Sequence, residues 1–262
     1  MTALDRRLET ALRIAAAAGQ LALTRQPVPG AAMASLKGHQ DWLTEADVAV
    51  EAFIDQALAE AFPEDGFQGE ETGRGRNGTL RWVVDPIDGT SNFARGAPRF
   101  CVSLGLIEDR TPLLGVIVAP ALGETFAAMQ GCGATLNGKP IHAAATTDLA
   151  RGMVECGWSA RRPNETYFAL TRAVMDQGPM LRAGGSGALG LADVAAGRID
   201  AYIELHINLW DVAAALAILA EAGAEVSPFL HGNGLTEGKA ILAAAPGIAA
   251  ALRAAVAGPM GA

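Results

Sequence analysis

The chain of 262 residues is poor in cysteine, histidine and aromatic side chains, with three Cys, four His and 5% Phe, Trp and Tyr together. Cys101, Cys132 and Cys156 show no CxxC spacing and are odd in number, which argues against a disulfide framework and against a zinc site. A reducing cytoplasm is the expected setting. Basic residues are also scarce: 20 Lys and Arg face 28 Asp and Glu, for a net charge of -8. The chain therefore lacks the clustered Lys and Arg of a phosphate-tracking surface, so a nucleic-acid partner is not expected. The only basic cluster is a short loop around Arg74, Arg76 and Arg81. Long apolar runs are missing as well, because the Ala-rich pieces are broken by Arg, Glu or Gly. No membrane span is expected. Asp5, Arg6, Arg7, Glu9 and Arg13 fall where a signal peptide needs its apolar centre, so the start of the chain reads as an amphipathic helix and export is not expected.

What is present is apolar material in quantity. Hydrophobic residues make up 50% and charged residues 18%, over a length that can bury one large core or two modest ones. Helices are expected over about 3–24 and about 45–61. In the second, Thr44 is the expected N-cap and Asp47 sits in the first turn, where an acid favours the positive end of the helix dipole. Val50, Ile54, Leu58 and Phe62 form its buried stripe, while Glu51 and Asp55 are expected on a solvated face. Segments 100–108, 113–119 and 124–130 are apolar strands joined by loops too short for parallel crossovers, which predicts an antiparallel meander. Asn137-Gly138 marks a tight hairpin. The texture changes near residues 143–150, giving residues 1–145 as a helix pair plus antiparallel sheet and 146–262 as a layered α/β half. In the second half strands are expected over 152–158 and 199–204, and helices over about 164–177, from Ala188 and from Trp210 to Gly223.

Three acidic pieces stand out: Gly69-Glu70-Glu71, Trp82-Val83-Val84-Asp85-Pro86-Ile87-Asp88-Gly89-Thr90, and Trp210-Asp211. The middle piece runs an apolar strand into Asp-Pro, where proline cannot continue a central ladder, so the chain must turn there. Gly89 permits backbone conformations closed to other residues, and the N–H groups of Gly89 and Thr90 can face an anion. If Glu70, Asp85, Asp88 and Asp211 converge, each pair of unit charges at about 4 Å repels by about 4 kcal/mol at an effective dielectric near 20. Convergence therefore demands a cation. Oxygen-only ligands select a hard ion, with Mg2+ favoured over Ca2+ because it is held by a few carboxylates plus water and phosphate. Such ions would let an acidic protein bind a phosphorylated substrate.

These pieces, with Ser91-Asn92-Phe93 after Thr90, Val212-Ala213-Ala214 after Asp211, and Gly133-Ala134-Thr135-Leu136-Asn137-Gly138-Lys139-Pro140-Ile141, resemble the inositol monophosphatase family over nearly the whole chain. The resemblance implies a layered αβαβα sandwich of the inositol monophosphatase and fructose-1,6-bisphosphatase type, usually a homodimer. It implies a Mg2+-dependent, lithium-sensitive phosphatase using about two or three ions. Glu70, Asp85, the carbonyl of Ile87, Asp88 and Asp211 would be metal ligands, Glu70, Thr90 and Asp47 would handle the attacking water, and Gly89 and Thr90 would meet the phosphate. Gly184-Gly185-Ser186-Gly187 matches the family's substrate loop, which points to Gly185 and Ser186. Glu204 stands where inositol-preferring members carry a carboxylate for ring hydroxyls. Lys37 lies where the family often carries a lysine near the site.

The expected reaction is hydrolysis of inositol monophosphate or a related sugar or polyol monophosphate. The alternatives are histidinol phosphate, a bisphosphonucleotide or fructose bisphosphate as substrate. A further alternative is a regulatory role in RNA polymerase complexes, which some bacterial members have. Residues 72–80, rich in Gly and Arg, read as a mobile flap whose basic residues either touch substrate or keep the loop soluble. His39, His142, His206 and His231 read as structural or exposed, and the cysteines as buried small hydrophobes.

Overall fold

The protein is described here by a computed structural model covering residues 2–30, 35–38, 41–43 and 45–261, with the side chains of 35–38, 41–43 and Arg74 outside the description. The elements in chain order are α1 (Ala3–Arg25), β1 (Ser35–Gly38), β2 (Asp41–Leu43), α2 (Glu45–Ala61), β3 (Gly66–Gly69), β4 (Gly73–Arg76), β5 (Leu80–Asp88), α3 (Thr90–Phe93), β6 (Cys101–Glu108), β7 (Thr111–Ala119), β8 (Glu124–Met129), β9 (Ala134–Leu136) and β10 (Lys139–Ile141). There follow β11 (Met153–Gly157), α4 (Asn164–Met175), β12 (Met180–Arg182), α5 (Gly187–Ala195), β13 (Ala201–Ile207), α6 (Leu209–Glu221), β14 (Glu225–Val226), β15 (Lys239–Ala244) and α7 (Pro246–Met260). Thr44, the expected cap of α2, lies outside the described residues.

The eight-stranded sheet runs β10-β9-β8-β7-β6-β5-β3-β4, and the five-stranded sheet runs β12-β11-β13-β15-β14. Strands β6, β7 and β8 form the expected antiparallel meander. Asn137 and Gly138, both at positive φ (50° and 74°), turn β9 into β10. β3, by contrast, pairs parallel to β5.

Side-chain alternation along the strands divides the layers. Val84, Val102, Leu104, Leu106, Leu114 and Val116 pack under α1 and α2, where Ile14, Val50, Ile54 and Leu58 are buried. The opposite face of that sheet, with Val83, Ile107, Ile117 and Phe126, meets α5 and α6, which also cover Tyr202, Ile241 and Ala243 of the second sheet. Val154, Ile203 and Leu242 face outward under α4 and α7. The result is a five-layer αβαβα stack, as the resemblance implied.

The central helix α6 lies directly on the sheet. A Cβ at Gly105 would stand 2.6 Å from the Ala213 carbonyl carbon, and one at Gly115 would overlap the Ala214 carbonyl oxygen. Two glycines on adjacent strands therefore set the height of α6, and with it the position of Asp211 in its first turn. Gly115→Ala should cost about 1–3 kcal/mol by overpacking. A calorimetric melt should show a Tm lower by several degrees, against no loss for Gly258→Ala, whose Cβ would meet nothing within 4 Å. Equal melts for the two variants would show that α6 is not seated by this contact.

Candidate active site

The site is built first by the end of β5. Pairing with β6 is regular to Asp85, slips, and resumes at Asp88, because Pro86 lacks the N–H a ladder needs. In the slip the Ile87 N–H donates to Asp85 Oδ1 at 2.9 Å, and Thr90 Oγ1 donates to the Ile87 carbonyl at 2.9 Å. Gly89 caps the short α3 at φ 87°, and a Cβ there would lie 2.9 Å from the Arg99 carbonyl. Only glycine fits both demands.

Asp88 is gripped from the other half of the chain. Ser186 Oγ donates to its Oδ2, as do the Ala188 N–H at 3.0 Å and Cys101 Sγ at 3.7 Å, and the Gly187 N–H reaches Oδ1 at 3.2 Å. The amino end of α5 thus holds an anion that belongs to β5. Asp211, in the first turn of α6, accepts the Asn208 N–H at 2.8 Å. Asp85, Asp88 and Asp211 each offer an oxygen, and these lie within 4.8 Å of one another.

Such a cluster is electrostatically unfavourable by itself. Burial, then Glu70, Asp88 and Asp211, push the Asp85 carboxyl well above its ordinary range. Burial and then Asp88 push Asp211 up to about 7, and burial raises Asp88 despite its four donors. Gathering these carboxylates therefore favours their protonated forms unless a cation balances them. The donor set is all oxygen, with buried carboxylates and no basic side chain bonded to them among the described residues, which fits a hard divalent ion.

The cluster opens into a cavity of about 610 Å³. Glu70, Asp88, Gly89, Thr90 and Asp211 line it together with Gly185, Ser186 and Glu204. Ser186 spends its hydroxyl on Asp88. Asp47 is fully buried in α2 and is not among the cavity-lining residues. Lys37 lies on β1, but its side chain is outside the described residues.

Three expectations are overturned, the third being the burial of Cys132. Glu51 is not solvated: it is 1% exposed, and its carboxylate accepts the N–H groups of Glu71 at 2.8 Å and Thr72 at 2.9 Å. A Cβ on Gly69 would overlap that carboxylate, so Gly69 and Glu51 together fix the turn that carries Glu70. The helical period placed Glu51 on an acidic stripe, but that stripe runs under the β3–β4 turn rather than into water. Nor are residues 73–76 a loose flap. They form β4, paired antiparallel with β3, and Arg76 binds Asp55 at 2.8 Å and the Asp65 carbonyl at 2.7 Å.

Other cavity residues escaped the sequence reading: Cys156, Trp158, Arg161, Tyr202 and His206. β11 and β13 run parallel with Gly157 opposite Glu204, so the residues after β11 emerge beside Glu204 at the carboxyl ends of both strands. Strand ends were the available signal. His206 is half-buried, with Nε2 3.0 Å from the Glu237 carbonyl and its pKa lowered by burial. Of the cysteines, Cys101 and Cys156 are buried as expected, but Cys132 is exposed.

A five-layer αβαβα stack with three acidic side chains gathered at one end of a mixed sheet is the arrangement that the resemblance to the inositol monophosphatase family implied. Residues 3–258 match the family model described as the inositol monophosphatase family, and the chain belongs to that family. It is 41% identical over 195 residues to the Nus factor SuhB of Xylella fastidiosa, covering 74% of this chain and 71% of that one. It is 37% identical over 232 residues to the inositol-1-monophosphatase of Mesorhizobium japonicum, covering 87% of each. The crystal structure of extragenic suppressor protein suhB from Bartonella henselae superposes with a TM-score of 0.86 at 32% identity, over 95% of this chain and 97% of that one. No described helix is long and apolar enough to cross a membrane.

The raised carboxyls make a pH prediction. Asp211 has a folded pKa of about 7 against an ordinary 3.8, so the folded state binds the extra proton between those values. Cation-free protein should lose stability as pH rises from about 4 to 7 through this group. A divalent ion replaces the proton, so at a hundredfold excess over Kd it should add about 2.7 kcal/mol near pH 8, raising Tm by roughly 5–10 °C. At pH 5 the gain should be much smaller. Equal shifts at the two pH values would show that the cation does not displace protons from this cluster.

Proposed function

We propose that the protein is a phosphoric monoester hydrolase that removes phosphate from inositol monophosphate or a related sugar or polyol monophosphate, with Mg2+ as cofactor. The observation that carries this reading is the meeting of Asp85, Asp88 and Asp211, of which Asp88 and Asp211 line a cavity that is also lined by Glu204. Asp85, Asp88, Asp211, the Ile87 carbonyl and Glu70 are the groups that would hold about two or three ions, which when bound supply charge neutralisation, acidified water and support for the leaving alkoxide. The chain's own residues do the remainder. Gly89 and Thr90, at the start of α3, receive the phosphoryl group. Thr90 Oγ1 gives its proton to the Ile87 carbonyl and so keeps its lone pairs for a water proton. Glu70, fixed by the Glu51-bound turn, is the partner for that water. Gly185 leaves the mouth clear for a ring, Ser186 secures Asp88, and Glu204 accepts ring hydroxyls. The three thiols are free, which suits the reducing cytoplasm we assign to the protein.

A second reading, a regulatory factor associated with RNA polymerase, is favoured by the name Nus factor SuhB on relatives that are 36–41% identical. That name removes the support for excluding nucleic acid on net charge. The two readings are compatible, since one uses the cavity and the other needs only a surface.

Release of phosphate from inositol 1-phosphate, histidinol phosphate, a bisphosphonucleotide and fructose 1,6-bisphosphate, with and without Mg2+, tests the assignment. The polyol monophosphate should be preferred and Mg2+ required. Asp88→Asn and Asp211→Asn should each lower kcat by about a thousandfold while leaving the circular dichroism spectrum intact. Wild-type rates in either variant, or preference for another of the four substrates, would refute the corresponding part of the reading. Capture of RNA polymerase by the inactive variants would establish the second role apart from the first.

A further inference from the structure

Two glycines from separate elements, Gly157 of β11 and Gly190 of α5, clear space around the same pair of side chains. Tyr202 and Glu204, two residues apart on β13, point to one side of the strand, and Tyr202 Oη donates to Glu204 Oε2 at 2.5 Å. Tyr202 is 2% exposed and Glu204 8%. A Cβ on Gly157, at the end of β11, would overlap both Glu204 Oε2 and Tyr202 Oη. On α5, a Cβ at Gly190 would sit 2.5 Å from Tyr202 Cε2. Glycine inside a helix is unfavourable relative to alanine, so Gly190 has a packing reason to be there. The slot admits a tyrosine ring and a carboxylate and no further methyl group at these positions.

We propose that Tyr202 is a positioning residue for substrate selection: its hydroxyl holds Glu204 Oε2, leaving Oε1 as the acceptor for hydroxyls of a polyol in the cavity. A glutamate side chain loses rotamer freedom when it binds a ligand, and a carboxylate already fixed in a walled slot has lost it beforehand. The tyrosine also satisfies the buried oxygen that the substrate does not reach. Nothing in the role requires Tyr202 to touch the reacting phosphoryl group. The inference rests on the reading of Glu204 as the hydroxyl acceptor of a polyol phosphatase. It goes beyond that reading by assigning selectivity to a hydrogen-bonded pair and to the glycines that house it.

Tyr202→Phe keeps the ring in its slot and removes only the hydroxyl. On inositol 1-phosphate, kcat/KM should fall about tenfold with the loss carried by KM, against less than about twofold on p-nitrophenyl phosphate, which has no polyol hydroxyls. In a Glu204→Ala background the same substitution should have no further effect on the ratio of the two substrates. Gly157→Ala, which crowds Glu204 Oε2, should reproduce the selectivity loss. Equal losses on both substrates, or additive losses in the double variant, would overturn the inference. Calorimetric binding of free myo-inositol, which carries no phosphoryl group, separates it from the phosphatase reading. Weaker binding by Tyr202→Phe in a protein that hydrolyses neither phosphate would keep the inference and remove the activity. Equal binding by both proteins would overturn the inference whether or not phosphate is released.

Discussion

Mutual repulsion among Asp85, Asp88 and Asp211 is the constraint around which the described structure is arranged. Their oxygens lie within 4.8 Å of one another, and burial raises the carboxyl pKa of each. A chain free to relax would separate them. Each is instead held by a different device: Asp85 by the slipped turn after Pro86, Asp88 by the amino end of α5, and Asp211 by the first turn of a helix seated on two glycines. The fold holds close together a set of charges that a cation or protons can balance.

The same economy of position extends to the rest of the cavity. Glu51 fixes the turn bearing Glu70, and Asn92 Nδ2 ties α3 to the substrate loop through the Gly184 carbonyl at 2.9 Å and to the segment before β6 through the Arg99 carbonyl at 2.8 Å. Behind that loop, Glu155 and Asp193 are buried and paired with Arg99 and Arg182. Glu155 Oε1 also accepts the Gly184 N–H at 3.1 Å. The loop that donates to Asp88 is thus held at Gly184 by a carboxylate that belongs to this ion-pair network, so the acids and the substrate wall are parts of one hydrogen-bonded assembly.

Much of this was legible in the amino-acid order. The apolar runs of β6, β7 and β8 with their short loops, the Asn137-Gly138 turn and the four-residue stripe of Val50, Ile54 and Leu58 are local signals, and the structure follows them. Asp85, Asp88 and Asp211 were legible because proline, glycine and a helix start mark the places where strands and helices end. Glu51 was not, since its partners lie 20 and 21 residues away on a turn whose course depends on β3 pairing parallel to β5. Residues 73–76 looked loose because glycine and arginine carry no hydrophobic period, yet their backbone completes a sheet edge and Arg76 finds Asp55. Tyr202 was hidden within the apolar run that made β13 recognisable. From spacing alone a tyrosine two residues before a glutamate is an ordinary strand residue, and only the glycines of α5 and β11 show what it supports.

The central claim is that Asp85, Asp88 and Asp211 share divalent ions. Crystals grown with Mn2+ as a hard, anomalously scattering cation test it most directly. The account predicts an anomalous peak at about 2.1–2.2 Å from carboxylate oxygens of these residues, with the side chains in their present rotamers. Crystals saturated with Mn2+ that show no peak there, or a peak only at surface acids, would contradict it.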